Sequence, residues 1–256
     1  MREFFNYFFG EGKEVEFHNF SLAHFIPILV MIGIIYLIYK KKDVIANSKY
    51  EKNIAFTLAF LAIVCEMSYY WRLAGIVELN ANPEDHLPIT ICGWVTVFVS
   101  FLVLTKNQTL FDICYFWVFS GTIFALITPT VITYTGPTRF RYYQFWVAHT
   151  IGYISIFYMM FVHKMRPTFK SMIKSFCTLV VLAGIALVAN YVIGGKSNYL
   201  FLATTEDGAD SIVNMLPSNI PLRLLVMSAA VTTLFFVSYL PWYIKDKKVK
   251  QTLESK

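Results

Sequence analysis

A cysteine and a histidine in two apolar stretches are the residues best suited to chemistry. Cys92 ends the stretch LPITIC, and His149 lies within the stretch FWVAHTIG. A thiol in apolar surroundings stays protonated, so it needs a neighbouring base before it can act as a thiolate nucleophile. An imidazole can take that proton and later return it to a leaving group. Together the two side chains would support acyl transfer through a thioester.

Both residue types also have a plainer interpretation. A lone cysteine in a membrane helix is most often a small apolar filler, and a lone histidine is as often a structural hydrogen-bonding group as a functional one. Three cysteines are interpreted as fillers, namely Cys65, Cys114 and Cys177. Because all four cysteines lie within apolar runs, the sequence does not favour a disulfide framework.

The composition indicates the class of protein that would hold this chemistry. Of the 256 residues, 57% are hydrophobic and only 15% are charged, whereas soluble domains carry roughly a quarter charged residues. These values exclude disordered, collagenous and coiled-coil chains and small disulfide scaffolds. A membrane span takes about 20 residues, so seven spans would leave only short loops. We expect an all-α polytopic bundle in which residues 1–256 form a single integral membrane domain of the cell membrane.

Seven apolar segments are predicted to span the membrane. They are residues 21–40, 54–75, 87–105, 109–129, 143–163, 175–195 and 220–242. Of the 22 Lys and Arg residues, 15 fall in the first, third and fifth connections and the C-terminal tail, counting Lys40 at the very end of the first span with the first connection. Another 5 fall in the N-terminal segment and the other connections, and Arg72 and Arg223 lie within spans. Lys and Arg mark cytoplasmic loops, which predicts the N-terminus outside and the C-terminus inside. The same rule accounts for the net charge of +6, which does not indicate nucleic-acid binding.

The costly polar residues collect in the outer half of this predicted bundle. Cys92 lies about 8 Å along the third span and His149 about 9 Å along the fifth, so the two could meet if these helices pack together. The other polar residues predicted for the outer half are His24, Glu66, Tyr69, Tyr70, Arg72, Asn190 and Arg223. The inner half offers only Asp112 and His163 near its boundary. We therefore expect a cavity that opens toward the outer leaflet.

Residues on the second and fifth spans are candidates for contacts with a lipid headgroup. Glu66, Tyr69 and Arg72 follow one another at intervals of three residues, which places them on one helical face. Arg139 and Arg141 lie at the outer entrance of the fifth span, where a guanidinium could grip a phosphate. The same charged residues could instead lock helices together or snorkel to the interface.

Several function classes lack the residues they need. The seventh span contains no Lys for a retinal Schiff base, and the sequence contains no HExxH motif and no cluster with metal-ligand spacing. No glycine-rich phosphate loop precedes a helix, so a nucleotide-driven enzyme is not indicated. We therefore expect no cofactor and no bound metal.

Four stretches of the chain resemble those of a known family. They are FSLAHFIP at 20–27, HLPITICGW at 86–94, RYYQFWVAHTIG at 141–152 and NYLFL at 198–202. In these stretches the chain resembles the YwaF family of bacterial integral membrane proteins, which is related to the eukaryotic transmembrane protein 164 acyltransferases. The resemblance covers about residues 15–240, and the second and third stretches are its most specific parts.

The resemblance implies a Cys/His acyltransferase that moves a fatty acyl chain between membrane lipids, as proposed for the eukaryotic relatives. Cys92 would be the acyl-accepting nucleophile and His149 its base. His24 and Gln144 would assist or position these residues, and Asn198, in the fourth stretch, would belong to the substrate site.

One position departs from the family pattern. Family members commonly have a histidine two residues before the cysteine, and this chain has Thr90 there. A threonine can donate a hydrogen bond but cannot carry a proton at neutral pH. Either the family histidine is not the base, or His86 partly replaces it, or the chemistry of this chain is altered.

The sequence thus predicts a phospholipid acyltransferase or transacylase that works through a thioester on Cys92, with a membrane lipid as its substrate. A different class of function stays open beside it, a non-catalytic lipid or small-molecule transporter that uses the same outer cavity. A third possibility is a ligand-binding membrane subunit that works with a larger partner.

Overall fold

The described part of the chain is built from helices. The computed structural model describes residues 2–129, 131–203 and 216–254, and these ranges contain no strand. The helices are α1 (Arg2–Phe9), α2 (Leu22–Ala46), α3 (Glu51–Gly75), α4 (Ile91–Thr105), α5 (Gln108–Ser120), α6 (Thr122–Ile127), α7 (Phe140–Phe161), α8 (Phe169–Ile193) and α9 (Ile220–Glu254). Single 3-10 turns lie at Val77–Leu79 and Tyr199–Phe201. The acidic part of the sixth connection, with Glu206, Asp207, Gly208 and Asp210, lies outside the described residues.

Four of these helices have the length and hydropathy of a membrane span, which identifies the chain as a membrane protein. They are α2, α3, α8 and α9. Helix α4 is apolar but only 15 residues long, and the predicted fourth span is divided between α5 and α6. All seven predicted spans coincide with helical structure, whereas seven crossings with the N-terminus outside remain a prediction.

Helix α4 begins later than the sequence predicts, at Ile91 rather than at residue 87. Pro88 lacks an N–H group and disfavours the helical conformation in the residue before it. Thr90 then caps the helix, because its side-chain oxygen accepts a hydrogen bond from the amide of Gly93 at 3.1 Å. The later start puts Cys92 in the first turn of α4 rather than deeper along a helix.

The predicted fourth span is interrupted at Gly121. Helix α5 ends at Ser120 and α6 begins at Thr122, whose hydroxyl turns back to donate to the carbonyl of Val118 at 2.8 Å. A Cβ on Gly121 would lie 2.6 Å from Cγ2 of Ile91. The missing side chain therefore lets the start of α4 lie directly against this interruption.

Helix α7 lies at the centre of the bundle. It packs against α2, α3, α4 and α5, while α5 also packs against α8 and α9. The buried core around α7 includes Val99, Leu102, Phe116, Trp117, Phe145 and Ile156. Because other helices pack against α7 on several sides, polar side chains such as Gln144, Ser155 and Tyr158 are buried within the protein, whereas Tyr143 is exposed.

The outer helices of the bundle expose apolar side chains. Exposed examples are Leu29 and Leu37 on α2, Val181 and Val188 on α8, and Leu225 and Val237 on α9. Contiguous apolar surface of this kind is rare on soluble monomers. It is the surface expected of helices that face lipid.

A buried polar cluster lies at the end of the bundle opposite Cys92, so the expectation that this half holds little polar chemistry is wrong. Oε1 of Glu51 accepts a hydrogen bond from Tyr158 at 2.8 Å and lies 3.0 Å from Nε2 of His163 and 3.2 Å from Nζ of Lys106. The sequence prediction missed this cluster because it started the second span at residue 54, after Glu51. Lys106 and His163 follow the last turns of α4 and α7, so the cluster holds these two helix ends together.

Asp112 belongs to a second polar cluster at the start of α5. Its carboxylate accepts hydrogen bonds from Ser171 at 2.7 Å, from Gln108 at 2.7 Å and from Lys174 at 2.5 Å. These bonds tie the first turns of α5 and α8 together. Paired in this way, the carboxylate serves helix packing.

An ion pair fastens the N-terminal segment to the start of α7. Nε of Arg139 donates to both carboxylate oxygens of Glu16, at 2.7 and 2.8 Å, and Nη1 donates to the carbonyl of Tyr7 at 2.8 Å. The amide of Gly136 adds a bond to Oε2 of Glu16 at 3.0 Å. Of the two outer arginines considered for phosphate binding, Arg139 is therefore already engaged within the protein.

We expect this ion pair to make stability depend on pH. The hydrogen bond from Arg139 lowers the pKa of Glu16 below its ordinary value. Because the folded-state pKa is depressed, the stabilisation is present above the unfolded-state pKa of about 4.3 and is lost as the pH falls through the folded-state value. In thermal unfolding in detergent, Glu16→Gln should melt about 2 °C below wild type at pH 7 and converge with it in acid. The exposed Glu14→Gln should match wild type throughout, and a Glu16→Gln curve identical to wild type at pH 7 would contradict the assignment.

Candidate functional site

Cys92 occupies the second position of α4, at the N-terminus of a helix. The first amides of a helix have no partner within it. Thr90 takes the amide of Gly93, and among the described residues no acceptor bonds to the amides of Ile91 and Cys92. A helix N-terminus favours negative charge and lowers the energy of a thiolate. This setting suits a cysteine nucleophile better than the predicted position five residues past the start of the span.

Glu66 of α3 lies against this first turn of α4. A Cβ on Gly93 would lie 2.7 Å from Oε1 of Glu66 and 3.0 Å from Oγ1 of Thr90. Glycine at position 93 therefore makes room for the carboxylate. Glu66 is also within electrostatic range of both Cys92 and Arg141, so its carboxylate disfavours a negative charge on the cysteine, and Arg141 offsets part of the charge of that carboxylate.

His149 has one ring nitrogen engaged and the other available. Nδ1 lies 2.7 Å from the carbonyl of Phe145, which can only accept, so Nδ1 carries the proton. The lone pair of the neutral ring is then on Nε2, and among the described residues no hydrogen bond to Nε2 occurs. The imidazole lies against the Phe145 ring, with a centroid distance of 4.1 Å. A ring fixed in this way is in the tautomer that a base requires.

Thr96 ties the helix of the cysteine to the helix of the histidine. Its hydroxyl lies 2.9 Å from the carbonyl of Cys92 and 3.4 Å from the carbonyl of Ala148. One hydroxyl therefore lies between the backbone of Cys92 and the residue that precedes His149. At their other ends the same two helices meet at Glu51, so α4 and α7 run in parallel.

A close approach further along fixes the register of the two helices. Gly152 stands three residues after His149, and Val95 stands three residues after Cys92. A Cβ on Gly152 would lie 3.1 Å from Cγ1 of Val95. Small residues let membrane helices approach closely, and this contact keeps Cys92 and His149 at corresponding depths.

Arg141 lies at the centre of the polar residues on the same side of α7. Nη1 donates to Oε1 of Gln144, and the guanidinium lies over the rings of Tyr69 and Phe145, at 4.9 and 5.7 Å from their centroids. It is also within electrostatic range of Glu66. An arginine held over aromatic rings near a carboxylate forms a compact site for a polar group.

Gln144 joins α3 to α7 beneath this arginine. Its Nε2 donates to the carbonyl of Cys65 at 3.1 Å, and the thiol of Cys65 donates to the carbonyl of Gln144 at 3.3 Å. These reciprocal bonds hold the two helices in contact. They give Gln144 a positioning role, and Cys65 remains a small buried helix-packing residue.

Tyr69 extends the polar residues toward the connection between α3 and α4. Its hydroxyl lies 3.0 Å from Nδ1 of His86. Burial lowers the pKa of His86, so its ring is neutral at neutral pH and can accept the tyrosine proton at Nδ1. The hydrogen bond from Tyr69 therefore positions the imidazole ring of His86.

Arg72 anchors the N-terminal segment. Nε donates to the carbonyl of Phe9 at 2.5 Å, and Nη2 lies 3.9 Å from Oε1 of Glu11. A cavity of about 280 Å³ lies beside it, walled largely by aromatic side chains of α1, α3 and α7. Cys92 and His149 do not line this cavity, while Arg72 is within electrostatic range of Tyr69 and Arg141.

Both ring nitrogens of His24 form hydrogen bonds with backbone groups. Nδ1 accepts a hydrogen bond from the amide of Phe20 at 2.9 Å, so Nε2 carries the proton and donates to the carbonyl of Leu126 at 2.7 Å. The ring is 1% exposed and packs against Trp146, with a centroid distance of 5.4 Å. Its bonds connect the start of α2 to α6.

The remaining predicted site residues hold connections in place. Thr90 caps α4, and Oδ1 of Asn198 accepts the amide of Ala203 at 2.9 Å. Asn190 exchanges two hydrogen bonds with the backbone of Tyr199.

The fourth resembling stretch also holds the connection that precedes Cys92. The hydroxyl of Tyr199 donates to the carbonyl of Pro83 at 2.6 Å and accepts the amide of Leu87 at 2.8 Å. This places the stretch next to the segment that leads into α4.

Sequence reasoning missed three residues of this region. Thr96 and Gly93 have no signal of their own, because a threonine or glycine in an apolar helix is unremarkable. Tyr153 could have been found, since it stands four residues after His149 and therefore on the same face of α7. It is a buried residue at 5% exposure.

Comparison with known proteins places the chain in a family. The sequence model of the TMEM164 family matches residues 19–239. The chain belongs to the TMEM164 family. No curated protein and no solved structure matches it. The TMEM164 match includes every element that holds the candidate site, from His24 through Cys92 and His149 to Asn198.

We expect the role of His24 to be structural. His24→Ala leaves the amide of Phe20 and the carbonyl of Leu126 without partners, and each buried unpaired group costs about 1–3 kcal/mol. The variant should lose several degrees of thermal stability in detergent. The exposed His18→Ala, in the segment just before α2, is the matched control and should melt as wild type. Equal melting temperatures for the two variants would contradict the assignment.

Proposed function

We propose that this membrane protein is a Cys/His acyltransferase or transacylase of the cell membrane that moves acyl chains between phospholipid and lysophospholipid. The observation that carries the proposal is the parallel packing of α4 on α7. The Thr96 hydroxyl lies beside the residue that precedes His149, which supports a pairing of Cys92, at the N-terminus of α4, with a histidine whose unbonded nitrogen is Nε2. The resemblance to the YwaF branch of the family favours the same assignment.

In the first half-reaction the Cys92 thiol attacks the ester carbonyl of a phospholipid. Nε2 of His149 takes the thiol proton as the carbon–sulfur bond forms and the carbonyl π electrons move onto oxygen. The tetrahedral intermediate collapses, the ester carbon–oxygen bond breaks, and the imidazolium returns the proton to the departing alkoxide. The products are a lysophospholipid and an acyl thioester on Cys92.

In the second half-reaction a lysophospholipid or another hydroxyl accepts the acyl group. His149 takes the hydroxyl proton while the oxygen attacks the thioester. The carbon–sulfur bond breaks, and the sulfur recovers the proton from the imidazolium. The apolar helices exclude water, which protects the thioester from hydrolysis.

Polar groups beside the nucleophile supply a site for the lipid headgroup. The Arg141 guanidinium is suited to a phosphate, and Glu66 and Tyr69 lie close enough to share the headgroup with it. Glu66 would also offset part of the positive charge of Arg141.

We expect acylation of one specific cysteine. Purified protein in liposomes of phosphatidylcholine with a radiolabelled acyl chain should acquire label that hydroxylamine releases and that maps to Cys92. Cys92→Ala should acquire none, and His149→Gln should acquire it about 10²–10⁴-fold more slowly because the general base is lost.

Cys177→Ala is the matched control, since Cys177 is an exposed cysteine of α8. It should be labelled as wild type is. Absence of label in wild type, together with lipid transport that survives in Cys92→Ala, would contradict the enzyme and favour the transporter.

A further inference from the structure

The hydroxyl of Tyr153 is a buried polar group without a partner close to the proposed nucleophile. Its oxygen is buried and has no partner within hydrogen-bond geometry, as is also true of Nε1 of Trp146 and Oγ of Ser155 on the same helix. Tyr153 is distinguished from these by its closeness to Cys92. A buried hydroxyl without a hydrogen bond costs free energy, so such groups are rare in folded proteins and call for an explanation. The hydroxyl of Thr122 is a neighbouring polar side-chain group and interacts with the phenol, but it lies outside hydrogen-bond geometry and donates its own proton to the carbonyl of Val118.

The position of Tyr153 on α7 directs it toward Cys92. It stands one turn after His149 on the same helical face. Long side chains on a helix lean back toward its N-terminus and cover the preceding turn. The preceding turn of α7 is the one that holds His149 at the depth of Cys92.

Contacts on both sides of Tyr153 hold its ring in this place. Gly152, the preceding residue, approaches Val95 of α4. The edge of the ring packs against Phe119, with a centroid distance of 5.5 Å and an interplanar angle of 89°. The phenol is within electrostatic range of Cys92.

We propose that Tyr153 is a catalytic residue whose hydroxyl, together with the free amide of Cys92, forms the oxyanion hole for acyl transfer. This rests on the proposed function. When the sulfur bonds to the ester carbon, the carbonyl π electrons move onto oxygen, and the two donors hold that oxygen by hydrogen bonds without transferring a proton. The electrons return to the carbonyl as the ester bond breaks. The same donors serve the second half-reaction.

The arrangement explains why the hydroxyl is left without a partner. A donor aimed at a charge that exists only in the transition state has no acceptor in the resting protein. The unpaired hydroxyl lowers the stability of the fold but also lowers the activation barrier of acyl transfer. Removing the hydroxyl should therefore not destabilise the fold.

Tyr153→Phe tests the assignment with phosphatidylcholine in mixed micelles as the probe. The turnover number kcat should fall about 10²-fold or more with little change in KM, as when one oxyanion donor is removed. The melting temperature should equal or exceed that of wild type, because the lost hydroxyl had no partner. A loss of activity accompanied by a loss of stability would instead indicate a structural role and overturn the inference.

Tyr142→Phe is the matched control, because Tyr142 is a buried tyrosine of the same helix whose hydroxyl donates to the carbonyl of Ala23 at 2.5 Å. It should melt earlier than wild type and keep its kcat. If Tyr153→Phe acylates Cys92 at the wild-type rate, the oxyanion role is wrong and the proposed enzyme stands. If wild type forms no acyl-Cys92, both are overturned.

Discussion

The parallel packing of α4 against α7 is the constraint on which the rest of the structure depends. Two contacts, at Thr96 and at Gly152, join the first half of α4 to the middle of α7 and set the separation and register of the two helices. The Glu51 cluster fixes their far ends. Between membrane helices the hydrophobic effect contributes little, and close contacts of small residues and hydrogen bonds determine which helices associate. The positions of Cys92 and His149 follow from this one packing arrangement.

Some polar residues of the bundle have their hydrogen-bonding groups paired within the protein, and others do not. His24, Asp112 and Arg139 have their hydrogen-bonding groups paired with other protein groups, and pairing offsets the cost of burying them. Nε2 of the half-buried His149 has no hydrogen bond among the described residues. The buried hydroxyl of Tyr153 lacks a partner within hydrogen-bond geometry, as do Nε1 of Trp146 and Oγ of Ser155. Groups left unpaired in an apolar interior point to a ligand or a reaction more strongly than residue type does.

Most of the helical segments could be predicted from apolar runs, because membrane helices must be long and apolar. The start of α4 could not be predicted in this way, since the apolar run begins at residue 87 and includes Pro88. Only the Thr90 cap marks the first turn of the helix. Counting along the spans predicts equal depths for Cys92 and His149, but it could not predict that α4 packs against α7. His24 and Glu66 look alike in sequence, as polar residues in apolar helices. Only the structure distinguishes the two, because His24 is hydrogen-bonded to backbone groups and Glu66 lies beside the first turn of α4, which holds Cys92.

The central claim is that the His149 imidazole acts as base for the Cys92 thiol. The most direct measurement is the rate at which N-ethylmaleimide alkylates Cys92 at neutral pH, followed by mass spectrometry in wild type, His149→Gln and His86→Gln. The account predicts that His149→Gln slows alkylation by about 10²-fold or more. It predicts that His86→Gln, which removes the ring bonded to Tyr69, leaves the rate unchanged. Equal rates in all three proteins would contradict it.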